Sequence, residues 1–389
     1  MSLVRSLKAG LPIFLIATNM RAGLILIGPL LPILQQQYGI GVITEAVLGA
    51  APLICFSLSA LFMARLSRWA DTNRIVTFGI TLIAASLLLR TLFELPGLLV
   101  FSVTLGIAVA VLNYMLPVWV RENNTGNPGL VTGTYAALMG IFSAIALAVT
   151  VPLAEATDLS WRLSMLPWFV LGLVATILWW TKFRGKRMPK STEKIPSFWR
   201  SPILHNRKAW SLTLLFGMLN MIHYASAIWM PTILVSKGME LIDTGFLVAL
   251  ATLIGSLLSL LVPHFAVRGK DFRAPLIGFS LILVFAYISI AVSTGPILWP
   301  LVILANIGVY TTFSLALFLV VHQSSNEDTT KNLSIMMQSF GYLLATTAPI
   351  LLGVAFLITG SWGTSLFVLV GLAAVQILLS FKTGNKEKI

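Results

Sequence analysis

The stretch Asn19–Pro32 reads NMRAGLILIGPLLP. One full positive charge, Arg21, stands in a run that is otherwise almost entirely apolar. A soluble core seldom holds a guanidinium without a partner, and the composition of the whole chain excludes a soluble setting. Of 389 residues, 57% are hydrophobic and 10% charged, with a mean hydropathy of +0.92. A soluble domain carries about 25% charged residues. So few charges could not cover a water-facing surface, and the chain is read as a polytopic membrane protein.

A spanning helix needs ~20 mostly apolar residues. Twelve candidate spans follow along the chain, near 11–37, 44–64, 75–93, 97–120, 130–154, 162–181, 208–235, 243–266, 274–293, 297–321, 332–357 and 363–381. They are numbered spans 1 to 12. The start, MSLVRSLKAGLPIFLIA, has the basic and apolar regions of a signal peptide. Asn19 and Arg21 interrupt it and no small-x-small cleavage site follows, so a retained first helix is expected. The long polar connector, 182–207, divides the chain into an N-terminal six-helix bundle (1–181) and a C-terminal one (208–389).

Charge sets the expected orientation. The N-terminus, the loops after spans 2, 4, 6, 8 and 10, and the C-terminus hold 22 of the 26 Lys and Arg. The four left over are Arg21, Arg90, Arg162 and Lys237. The opposite loops carry Glu94, Glu155, Asp158, Glu240 and Asp243. The positive-inside rule then places both termini and the connector in the cytoplasm, and a bacterial inner membrane is the expected location. The net charge of +13 is accounted for by these loops lying near anionic lipid, so the bilayer, not nucleic acid, is the expected partner. The single cysteine, Cys55, allows no intramolecular disulfide, and no metal or cofactor motif is seen.

The two halves repeat. Shifted by 201 residues, Asn19-Met20 meets Asn220-Met221, Gly140 meets Gly341, and Ser160-Trp161 meets Ser361-Trp362. Shifted by 199, Pro32 and Gly39 meet Pro231 and Gly238. Six spans per half keep the repeats parallel, the arrangement of transporters whose substrate site lies at mid-membrane between two bundles. The expected fold is therefore an all-α membrane protein of twelve transmembrane helices in two pseudo-symmetric six-helix bundles.

Five stretches carry a resemblance: NMRAGLILIGPLLP in span 1, LNYMLPVWVRE in span 4, TGTYAALMG in span 5, HYASAIWMPTIL in span 7 and MMQSFGYLLATTAP in span 11. Through them the chain resembles the major facilitator superfamily, in its cyanate and 2-nitroimidazole porter branch, over essentially its whole length. The resemblance implies a secondary carrier for a compact anion or a small planar molecule. The chain departs from the pattern at His322, where an arginine is expected, and in ARLSRWADTNR after span 2, a loose version of the superfamily's Gly-Asp-Arg gate motif.

Arg21 lies about ten residues into span 1, ~15 Å deep at 1.5 Å per residue. An unpaired charge there costs roughly 3 kcal/mol even on insertion scales. No carboxylate sits clearly inside a span; Glu45 and Asp243 are at span starts. A water-filled cavity that receives an anion is the expected answer, because a guanidinium offers planar forked donors. The competing reading is a structural arginine held by helix carbonyls. Arg90, late in span 3, has Glu94 one turn on, and an i,i+4 ion pair explains it. Trp161 and Arg162 are expected as interface anchors.

Span 7 places His223 and Tyr224 at a depth similar to Arg21, and a histidine could relay protons. In span 4, Pro117 frees the carbonyl of Asn113. Tyr135 and Met139 share a face of span 5, and Gln338 and Tyr342 share one of span 11. The expected pocket is Arg21 with Asn113, Tyr135, His223, Tyr224, Gln338 and Tyr342, and interhelical hydrogen bonding is the bland alternative for the polar members. Small residues such as Gly106 and Gly133 are expected to serve helix packing.

The function expected is transport of a small solute by alternating access, with no enzyme chemistry and with protons as a candidate co-substrate. A functional monomer is expected. An exporter of drugs or heterocycles is the rival within the class. A transporter-like solute sensor is the rival outside it, and the eight residues after Phe381 offer it little signalling tail.

Overall fold

The computed structural model describes residues 3–123, 128–156, 160–185, 198–266, 271–384 and 388–389. Asp158 and the middle of the connector, 186–197, lie outside the described residues. Among the described residues there is no strand, and twelve helices are long and apolar enough to cross a membrane. Each expected span falls on one of them.

Spans 2 to 5 are Val42–Trp69, Thr72–Leu92, Leu95–Glu122 and Pro128–Glu155. Span 6 opens with a tight turn, Ser160–Met165, and continues as Leu166–Phe183. Spans 7 to 10 are Arg207–Ser236, Leu241–Ala266, Arg273–Val292 and Leu298–Gln323. Span 12 is Trp362–Thr383.

Two spans are broken. Span 1 consists of Leu3–Met20, Ala22–Ile25 and Ile27–Tyr38, so Arg21 stands at a joint. Pro29 accounts for the second interruption, at Leu26: it has no N–H, and its ring crowds the carbonyl of Ile25. Span 11 consists of Glu327–Ala345 and Thr347–Thr359, and Pro349 stands four residues after Ala345 in the same relation. Spans 1 and 7 both end on a glycine of positive φ, Gly39 at 60° and Gly238 at 85°. Such a backbone is nearly free for glycine alone and is a common helix stop.

The packing repeats between the halves. Span 1 packs on spans 5 and 6, span 2 on span 4, and span 3 on spans 4 and 6. Adding six to each number gives contacts observed in the second half. Across the halves, span 2 meets span 11, span 5 meets span 8 and span 1 meets span 7. The spans thus form the two pseudo-symmetric bundles of the major facilitator fold.

Odd-numbered spans begin on the side that holds the chain ends, here the near side. On the opposite, far side the halves touch through glycines. A Cβ on Gly28 would collide with the carbonyl oxygen of Ala227, and one on Gly49 with Ile228. A Cβ on Gly353 would press Val42 at 3.0 Å. The connector is not wholly irregular. Residues Phe198–Arg200 and Pro202–His205 form short helical turns, and Phe198 and Ile203 bury against Leu212, Phe216 and Leu333 of the second half.

Candidate functional site

Between the halves lies a cavity of about 310 Å³. Its wall is drawn from spans 1, 2, 4, 5, 7, 10 and 11. In span 2 it reaches from Leu48 to Ser59, in span 7 from Phe216 to Ile228. These positions straddle the middle of both helices, and Gly28, Gly49, Ala227 and Ile228 of the close interhelical contacts border the same cavity on the far side.

Arg21 is on this wall, half-buried, at a turn with φ −101° and ψ −28°. Its side chain makes no hydrogen bond or ion pair with any described residue, and among the described residues of the wall it is the one side chain with a permanent charge. Asn113, His223, Tyr224, Gln338 and Tyr342 share the wall with it. Tyr135 does not: it is half-buried against the apolar core, and Ala136 and Met139 supply the share of span 5. A one-residue difference on a helix turns a side chain by about 100°, which is enough to take it off the wall.

The second half contributes a closed circuit of rings. Centroids are 5.7 Å apart for Phe216–Tyr342, 6.2 Å for Tyr342–Tyr224 and 5.0 Å for Tyr224–His223. The circuit closes through His223–Phe313 at 6.2 Å, stacked, and Phe313–Phe216 at 5.8 Å. Phe56 of span 2 joins it from the first half, 5.3 Å from Tyr342. Phe56, Phe216 and Phe313 were not readable as site residues. A phenylalanine in an apolar span looks the same whether it faces a cavity or lipid, as exposed Phe285 and Phe367 do.

His223 also borders a second, much smaller space of about 20 Å³, room for one water by the usual minimum of ~10–15 Å³. Ser226, Thr252, Asn306 and Tyr310 share its wall, and Nδ1 of His223 has no protein partner.

Prolines add acceptors. A helix proline leaves the carbonyl four residues back without its helical donor. Pro29, Pro52, Pro117 and Pro231 release Ile25, Leu48, Asn113 and Ala227 in this way, and all four residues are on the wall. Only the pair Asn113 and Pro117 had been singled out from sequence.

The expected Arg90–Glu94 pair and the expected anchor Trp161 are placed differently from the sequence reading. Arg90 is not paired with Glu94. It is fully buried, and its Nη1 donates to the Gly23 carbonyl at 2.7 Å and its Nη2 to Ser102 Oγ at 2.6 Å. Glu94 instead faces Arg162, at 3.7 Å. Arg162 also lies over the ring of Trp161, 4.9 Å from its centroid, and reaches the Tyr38 hydroxyl at 3.4 Å. Trp161 is wholly buried, so it is a core residue and not a lipid-interface anchor: the turn Ser160–Met165 folds it inward. Lys237 caps span 9, donating to the carbonyls of Ala291 at 3.0 Å and Ser293 at 2.9 Å. Glu45 is in the first turn of span 2, as expected; it is buried, 1% exposed, with one carboxylate oxygen unpartnered. Among the described residues no His, Cys, Asp or Glu cluster could hold a metal ion.

Twelve spans in two repeated bundles around a mid-membrane cavity define a membrane transporter of small solutes. The chain belongs to the Major Facilitator Superfamily, which matches residues 13–349. It is 29% identical to the uncharacterized transporter YycB of Bacillus subtilis over 94% of this chain and 90% of that protein. It is 27% identical to the 2-nitroimidazole transporter of Escherichia coli, over 97% and 95%. It is 29% identical to the cyanate transport protein CynX of Escherichia coli, over 94% and 96%. Among solved structures, it superposes on a bacterial homolog of the lysosomal transporter Spinster, inward-facing and unoccupied, with a TM-score of 0.83. That likeness spans 99% of this chain and 98% of the other at 14% identity, and it concerns the fold.

Proposed function

We propose that the protein carries a small planar solute with an anionic or electron-rich end, by alternating access, and that Arg21 binds that end. The single observation behind this is a permanent charge without a protein partner, set on a cavity wall opposite a closed circuit of aromatic rings. A guanidinium in a low-dielectric site binds a carboxylate-like or oxyanion group through two parallel donors. The rings give a planar body faces to stack on, at roughly 0.5–1.5 kcal/mol per pair.

Size bears on the choice of solute. A cavity of about 310 Å³ is many times the ~10–15 Å³ that holds one water. A three-atom anion such as cyanate would fill little of it and would travel with water. A nitro-substituted heterocycle would occupy much more and use the rings as well. One relative is named for each kind of solute, which supports a solute of this size range here.

The positive-inside rule assigns the near side to the cytoplasm. The cavity then faces inward, and the glycine contacts form the closed outer seam. Rocking of the two bundles would open that seam and close the near side. The test is uptake of labelled cyanate and 2-nitroimidazole into proteoliposomes by the wild-type protein, Arg21→Ala and Arg21→Lys. Loss of both solutes in Arg21→Ala is expected, and undiminished uptake would remove Arg21 from the site.

A further inference from the structure

Arg90 has no part in the transport reading so far, yet it is a fully buried guanidinium with no carboxylate beside it. Its two hydrogen bonds join separate elements. Ser102 Oγ, which accepts from Nη2, is itself tied to the Leu98 carbonyl at 2.6 Å, so span 4 fixes one edge of the guanidinium. The other edge grips the Gly23 carbonyl of span 1 at 2.7 Å.

Gly23 lies in the four-residue helix Ala22–Ile25, two residues after Arg21 and just before the second break at Leu26. Carbonyls at the end of a helix have no partner within it. The guanidinium supplies a charged donor to the Gly23 carbonyl at this interruption. The approach is close: a Cβ on Gly23 would press Leu87 at 2.9 Å and Leu105 at 3.1 Å. Those leucines stand three residues from Arg90 and Ser102, on the same helix faces.

We infer that Arg90 is a positioning residue, which pins the broken turn of span 1 through Gly23 and so aims Arg21 into the cavity. The inference rests on the reading of Arg21 as the solute's anchor. The local geometry is needed for it: Arg21 departs from ideal helix dihedrals at φ −101° and ψ −28°, and the grip on Gly23 two residues on fixes the turn that carries it.

The experiment uses phenylglyoxal, a reagent that modifies accessible guanidinium groups, on the purified full-length protein without solute. Mass spectrometry reads the modification rate at Arg21 itself. In Arg90→Met the rate at Arg21 is expected to change about fivefold or more, because the turn is released. The KM for labelled cyanate should rise about tenfold, with kcat changed less than about threefold, as expected for lost ground-state binding. Arg90→Lys, with a point charge in place of the fork, should fall between. Should Arg90→Met fail to fold, Ser102→Ala and Gly23→Ala disturb the two ends of the same grip and should move both readouts in the same direction. Wild-type reactivity at Arg21 together with wild-type KM, in folded variants, overturns the inference. A changed Arg21 reactivity alongside normal cyanate uptake by Arg21→Ala supports the positioning role while removing Arg21 as the anchor.

Discussion

Spans 1 and 7 begin from one plan and part at their centres. Both carry a buried asparagine at the matching place, Asn19 and Asn220, whose amide donates to a backbone carbonyl: that of Trp168 at 2.9 Å for Asn19 and that of Phe216 at 2.7 Å for Asn220. Both end on a left-handed glycine. Yet span 1 breaks twice around Arg21, while span 7 runs unbroken from Arg207 to Ser236 and presents His223 and Tyr224 to the same cavity. Proline alone does not explain the contrast, since Pro29 and Pro231 stand at nearly matching places in the repeat; Pro29 adjoins the interruption at Leu26, whereas span 7 runs through Pro231. Pro231 falls near the end of span 7, where the carbonyl it releases, Ala227, meets Gly28 in the far-side seam. The two halves share a scaffold and divide the chemistry, charge on one and aromatic faces on the other.

The largest effect expected is on the charged side. Arg21→Ala should lower uptake of cyanate and 2-nitroimidazole more than about 100-fold, and Arg21→Lys roughly tenfold, since lysine supplies charge without the fork. The check is proteoliposome uptake with monodispersity confirmed by gel filtration. Equal losses for alanine and lysine would show that fork geometry, and not charge alone, is what matters.

Next comes the seam where the two spans meet. Gly28→Val should reduce uptake about tenfold and lower Tm, because overpacking against backbone costs about 1–3 kcal/mol. Gly133→Val is the control, since a Cβ there meets nothing within 4 Å. If both variants transport alike, the glycine seam has no part in closure.

The aromatic side should separate the two solutes. Phe313→Leu opens the ring circuit and should weaken 2-nitroimidazole transport by about two- to tenfold, from the loss of one or two ring pairs, with cyanate little changed. Competition assays read the ratio directly, and an equal loss for both solutes would make the circuit structural.

The smallest effect is expected from His223→Phe, which keeps the ring and removes its nitrogens. At fixed pH, uptake should fall less than about threefold, no more than the loss of a single weak hydrogen bond. Uptake with and without an imposed pH gradient would sharpen the contrast further. A gradient response present in the wild type and absent in the variant would assign a proton to span 7.

Much of this was legible because lipid makes charges rare. Twelve spans, their repeat and Arg21 could be read directly, since each polar residue in an apolar run is a costly exception. Other residues resisted for physical reasons. Arg90 had a plausible partner one turn away, yet its hydrogen bonds go to Gly23, 67 positions earlier, and to Ser102 across the next helix. Phe56, Phe216 and Phe313 carry no polar mark, so nothing distinguished a cavity face from a lipid face. Tyr135 had such a mark and still sits off the wall, because a single step along the helix decides which way a side chain points.

The amino-acid sequence alone determined how many times the chain crosses the membrane, where it repeats and which charge stands unpaired at depth. It did so because transfer into hydrocarbon depends on local composition, and local composition is written in order along the chain. Tertiary structure alone decided which faces meet, where span 1 turns and which rings close the pocket. A helix apolar all round has no preferred side in lipid, so its neighbours are chosen by shape, by glycine gaps and by released carbonyls, which come together only when distant spans pack.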